Sequence, residues 1–181
     1  LHYCKIPPAG TERGPRMSFD RSQLLSDLIW SVNSPSLIVE SPSTGRSSTG
    51  RSSTGQVEPG DVDADHLAHV MSDFHGSRVG RYFERLILYW IEHVRRLEIV
   101  ASAMPIRVGG RTKGEIDLLF RDDQRRLNHW ELAIKFYLHK PEQKGCTLVG
   151  PNARDTFDRK MDRLLNHQLP ISRHHVQGVE I

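Results

Sequence analysis

A run of strict alternation is what most narrows the folds open to this chain. Trp130, Leu132, Ile134, Phe136 and Leu138 alternate with His129, Glu131, Ala133, Lys135 and Tyr137, the two-residue period of a strand with one face in a core. Shortly before it, Ile116, Leu118 and Phe120 alternate with Glu115, Asp117 and Leu119. The polar residues between the two runs make residues 114–138 read as a hairpin centred near Gln124. With a loop over residues 122–126, that centre places Asp117 opposite Glu131 and Lys113 opposite Lys135. A slip of one residue would carry a whole strand's side chains to the other face.

Two carboxylates facing each other across a sheet have Cβ atoms about 5 Å apart, an arrangement that destabilises unless a cation lies between them. Magnesium suits such a pair, because it takes hard oxygen ligands, keeps several waters and is commonly held by one or two carboxylates plus substrate phosphates. The alternative is a solvated hairpin face on which Lys113, Lys135 and Arg107 neutralise the acids. His66, His69 and His75 invite a zinc reading, but neither finger-spaced cysteines nor an HExxH word accompanies them. They are read as surface histidines.

The flanking sequence supplies helices. Leu24, Leu25, Leu28, Ile29 and Val32 form a helical stripe with Asp20 as N-cap and Ser34-Pro35 as the stop. Phe83, Leu86, Ile87, Trp90, Val94 and Leu97 form another over residues 78–98, with Arg95 and Arg96 in the last turn and Glu84 at the margin of the stripe. Residues 99–108 read as a strand that Pro105 assigns to an edge or a bulge. Residues 139–149 read as a loop. A last helix, ending near residue 169, is predicted to bury Phe157, Met161, Leu164, Leu165 and Gln168. Arg154, Arg159, Lys160 and Arg163 give its other side a basic surface suited to a phosphate backbone, or to a salt-bridged helix face.

The chain of 181 residues has the length of a single domain. Its 37% hydrophobic and 26% charged residues make it more polar than average, and the first sixty residues are the cause. Residues 1–16 read as a disordered, non-native extension, with the domain spanning 17–181. The STGRS repeat marks a disordered insertion over residues 41–60. Net charge +3 is compatible with nucleic acid. Two distant cysteines signal neither a disulfide framework nor a zinc site. With no apolar run long enough to span a bilayer and no leader-like start, a cytoplasmic protein without a membrane partner is expected.

The words GEIDLL and WELAIK, separated by a polar turn, resemble the metal-binding hairpin of the PD-(D/E)xK nuclease superfamily. Together with RYFERLILYW, RTKGEIDLLF, HWELAIKFYL and GPNARDTFDRKMDRLLNHQL, they more closely resemble an uncharacterised bacterial family known only as a domain of unknown function and grouped with those nucleases. The resemblance implies an α/β fold with a restriction-endonuclease-like core: a small mixed sheet with a central hairpin, flanked by helices. It implies that Asp117, Glu131 and Glu84 hold magnesium and that Lys135 supplies the basic group. It also implies that the chain is truncated after its last helix. One departure is plain: the superfamily spaces its acid and lysine as Glu-x-Lys, whereas here Glu131 and Lys135 are four apart, or roughly 13 Å along a strand instead of roughly 7 Å. The expected function is metal-dependent hydrolysis of nucleic-acid phosphodiesters, catalysed by Glu84, Asp117, Glu131 and Lys135 with Lys113, Arg154, Arg159, Lys160 and Arg163 on the nucleic acid. The alternatives are a nuclease-fold binding module without catalysis and a protein-interaction domain.

Overall fold

The structure, a computed structural model, describes residues 20–34, 56–75, 78–108, 110–140, 147–151 and 155–174. The predicted extension at 1–16, residues 41–55 of the predicted insertion, and Arg154 lie outside the described residues. The chain is mixed α/β, and it divides into two compact units, Leu1–Glu98 and Ile99–Ile181.

The first unit is helical. In α1 (Arg21–Asn33) the predicted stripe buries Leu24, Leu28 and Val32, and Asp20 and Ser34 stand at its caps, although the Asp20 side chain makes no capping hydrogen bond. Helix α2 (Ala64–Met71) begins at Asp63, whose carboxylate accepts from the Asp65 and His66 N–H groups, and it buries Leu67 and Met71 completely. Helix α3 (Val79–Tyr89) buries Leu86, Ile87 and Tyr89. It then widens into a π-turn over Trp90–Val94. Arg96, at φ 55, and the Leu97 N–H bond to the Ile91 carbonyl stop it there. The helix therefore ends short of the predicted residue 98, and Arg95 and Arg96 follow it instead of forming its last turn. Tyr82 Oη donates to Asp27 Oδ2 at 2.8 Å.

Residues 56–60 differ from the predicted insertion. The Asn33 amide donates to the Val57 carbonyl at 2.9 Å and accepts from the Val57 N–H at 3.0 Å. Val57 is 2% exposed. A polar stretch is thus anchored by one apolar residue whose backbone groups are satisfied by a side chain in place of a strand.

The second unit holds a three-stranded sheet ordered β1 (Glu98–Val108), β2 (Arg111–Arg121), β3 (Leu127–Trp130). Strand β1 lies at an edge, which accommodates Pro105. A connection of two residues, with Gly110 at φ 77, can join β1 to β2 only as antiparallel neighbours, so the sheet is antiparallel where a mixed one was predicted. The register of β2 on β3 is the predicted one: Leu118 faces Trp130, Leu119 faces His129, Phe120 faces Asn128 and Arg121 faces Leu127. Ile106, Ile116 and Leu119 form a core with Val100, Ala101, Met104, Leu127 and Ile171. Phe120 meets Trp130 edge to face at 5.0 Å.

The second strand of the hairpin is shorter than its alternation predicts. Ladder pairing stops at Trp130, residues 131–137 are irregular, and Phe136 and Leu138 are 65% and 69% exposed instead of lying in the core. The predicted loop after it contains a small antiparallel pair, β4 (Leu138–Lys140) on β5 (Thr147–Val149). Helix α4 (Phe157–Arg163) is capped by the Thr156 side chain and widens into a π-turn at Leu164–Gln168 before a 3-10 turn at Leu169–His174. Leu164 is buried, but Leu165 is 49% exposed, a correction to the predicted stripe. The wide turn changes which residues face inward.

Candidate functional site

Strand β3 ends where Asp117 intervenes. Continuing the register by one pair would set Asp117 against Glu131, but the Leu132 N–H donates to Asp117 Oδ2 at 2.8 Å. A short carboxylate side chain thus takes the donor that a strand would offer to its neighbour, and the ladder stops. Asp117 Oδ1 accepts no hydrogen bond among the described residues.

Glu131 follows the last ladder residue and points into the protein, with only 4% of its side chain exposed. Its Oε1 lies 2.9 Å from His129 Nε2, whose side chain is 11% exposed. Its Oε2 accepts from the Gln168 amide at 2.6 Å. The other end of that amide, Gln168 Oε1, accepts from Lys160 Nζ at 2.9 Å. The chain of bonds Lys160 to Gln168 to Glu131 fixes the amide's orientation, since only its nitrogen can serve the carboxylate and only its oxygen the ammonium.

The charges interact as well. Burial pushes the Asp117 carboxyl above its ordinary range; the Leu132 N–H opposes this, Glu131 and Glu115 add to the rise, and Lys160 offsets it. Burial likewise pushes the Lys160 amine below its ordinary range, against the pull of Glu131, with Lys135 adding to the fall and Asp117 opposing it. Lys160 thus acts on both acids and is tied to one of them, Glu131, through Gln168.

The structure ties Lys160 to Glu131 through Gln168, at the end of the hairpin that also carries Asp117, and pairs Lys135 with a different acid. Lys135 Nζ lies 3.0 Å from Asp155 Oδ2, because the strand that would have carried Lys135 along the sheet ends at Trp130. The predicted pairing of Lys135 with Lys113 does not form for the same reason. Lys113 is exposed on β2, and Arg159 and Arg163 are exposed on α4. Lys160 is half-buried and so is withdrawn from the basic surface to which the sequence assigned it. Glu84 is half-buried on α3 in the first unit.

Gln168, His129 and the position of Lys160 among the acids are absent from the predicted site. One signal was available for Gln168, a polar side chain closing an apolar helical stripe. Its meeting with Lys160 was not legible, because eight residues of α-helix overshoot two full turns by roughly 80°. The π-turn at 164–168 takes up part of that overshoot and returns residue 168 towards the face of residue 160.

Among the described residues no group of three or more His, Cys, Asp or Glu side chains is arranged to hold a metal ion. Two carboxylates are nonetheless sufficient protein ligands for magnesium. Here Asp117 Oδ1 is open, and each Glu131 oxygen, accepting one hydrogen bond, retains a lone pair. The donor set fits a hard cation. Among the described residues no helix is long and apolar enough to cross a membrane. Compared with known proteins, the chain matches a family model described as a domain of unknown function (DUF1853) over residues 26–178. No curated protein and no solved structure matches it.

Proposed function

The chain belongs to the DUF1853 family of domains of unknown function, and we propose that its second unit is a metal-dependent nuclease with a restriction-endonuclease-like core. The observation that carries this reading is the hydrogen-bonded chain from Lys160, on the helix after the sheet, through Gln168 to Glu131, at the end of the hairpin that also carries Asp117. Two acids and one lysine are the groups that the resemblance to PD-(D/E)xK nucleases implies, and a lysine arriving from α4 would account for the displaced Glu131-to-Lys135 spacing. Asp117 and Glu131 would hold magnesium. When bound, the ion supplies polarisation of the phosphate and a water of lowered pKa. Lys160 holds a positive charge where negative charge develops on the phosphoryl oxygens, in a half-buried site where such a charge acts more strongly than in water. His129 and the Leu132 N–H hold the Glu131 and Asp117 carboxylates in place. Arg159, Arg163 and Lys113 are exposed cations suited to a nucleic-acid backbone.

Purified protein incubated with plasmid and single-stranded substrates is expected to cleave with magnesium or manganese and not with chelator. Asp117→Asn and Glu131→Gln should each abolish cleavage, and Lys160→Ala should slow it at least about a hundredfold. Lys135→Ala should stay within a few-fold of wild type. Equal losses at Lys135 and Lys160 would return the catalytic role to the strand lysine and overturn this assignment. A second reading, a binding module without catalysis, draws on the engagement of both Glu131 oxygens by protein donors. It prevails if the wild type binds nucleic acid and leaves it intact.

A further inference from the structure

Gln168 occupies an unusual place for a side chain at the end of a helix. Its amide is the only direct link among the described hydrogen bonds between Lys160 and Glu131, with bonds of 2.9 and 2.6 Å. The amide is half-buried, so water competes weakly for either end. Lys160 is a flexible four-carbon stem that loses considerable rotamer freedom when held in one place, and Gln168 Oε1 is the acceptor that holds it. Glu131 is aligned from the opposite side by His129. Removing the amide would leave a buried carboxylate short of a donor and a half-buried ammonium short of an acceptor, without removing either charge.

We infer that Gln168 is a positioning residue that sets the distance between the lysine and the metal-binding glutamate, an inference that rests on the nuclease reading above. The π-turn at Leu164–Gln168 is then the device that delivers it, in keeping with the frequent placement of such turns at functional sites.

The test compares wild type with Gln168→Met, which preserves the length of the side chain and its packing but neither hydrogen bond. Gln168→Ala serves as the second variant if the methionine form does not fold. Manganese affinity by calorimetry and kcat and KM for plasmid cleavage are measured for each, alone and combined with Lys160→Ala. Manganese should bind about 10-fold to 100-fold more weakly in Gln168→Met, the range typical for loss of a partner that orients a ligand. The activity loss should fall on kcat, with KM within a few-fold of wild type. In the Lys160→Ala background the substitution at 168 should cost little further activity, because a residue that acts through another is not additive with it. A packing role alone would leave Gln168→Met equal to wild type, and independent losses in the double variant would likewise overturn the inference. Wild type that neither binds manganese nor cleaves overturns the nuclease reading and this inference with it. Wild type that does both, unaltered by Gln168→Met, overturns only the role of Gln168.

Discussion

Asp122, only 6% exposed, accepts hydrogen bonds from the Gln124 and Arg126 N–H groups and from Arg126 Nε, the last two at 2.8 Å. Burial alone would raise its carboxyl, but the bonds from Arg126, Asn128 and Gln124 prevail and hold it below the ordinary carboxylate range. A carboxyl lowered in the folded state contributes stability that is present above its unfolded value of about 3.9 and lost as pH falls through the folded one. Asp122→Asn is therefore expected to lower the thermal midpoint at pH 7, with the difference from wild type shrinking below about pH 4. A constant difference down to pH 2 would mean that shape, and not charge, holds the turn. The five-residue loop itself is legible in the sequence, but a role for Asp122 is not, because acids in turns are ordinary and only burial marks this one.

Between elements, what the sequence conveyed and what it withheld divide at a single residue pair. Alternation on both sides of a polar turn specifies a register, and four consecutive pairs follow it. Alternation does not specify where a strand stops. The competition for the Leu132 N–H, decided in favour of the Asp117 carboxylate, depends on a side-chain rotamer that no periodicity encodes. Lys160 was hidden for a related reason: among Asp158, Arg159, Asp162 and Arg163 it reads as one more charge on a solvated face. Its burial follows from the docking of α4. The attachment of residue 57 to α1 was equally hidden, because it consists of two bonds from one amide. Asn33→Ala would leave the Val57 N–H and carbonyl unpaired in a buried setting and should cost about 1–3 kcal/mol, read as a lower denaturation midpoint with an unchanged slope. A loss within experimental error would show that water replaces the amide.

For the molecule as a whole, each unit buries apolar side chains of its own, Leu28, Leu67 and Ile91 among them in the first and the cluster of Ile106, Ile116 and Leu119 in the second. The nuclease reading assigns its hairpin and lysine to the second unit. The bond between Asn33 and Val57 has a further consequence for the first. It joins two points of the chain 24 residues apart, and the STGRS repeat lies between them. Closure entropy grows only as the logarithm of length, with each doubling costing about 0.6 kcal/mol. Excising one pentad, or adding one, should accordingly shift the thermal midpoint by no more than about two degrees, measured in wild type and in Asn33→Ala alike. Replication slippage in a short tandem repeat changes its copy number in whole units. With both ends of the segment clamped, such length polymorphism would be nearly invisible to folding, leaving the repeat free to expand or contract between generations.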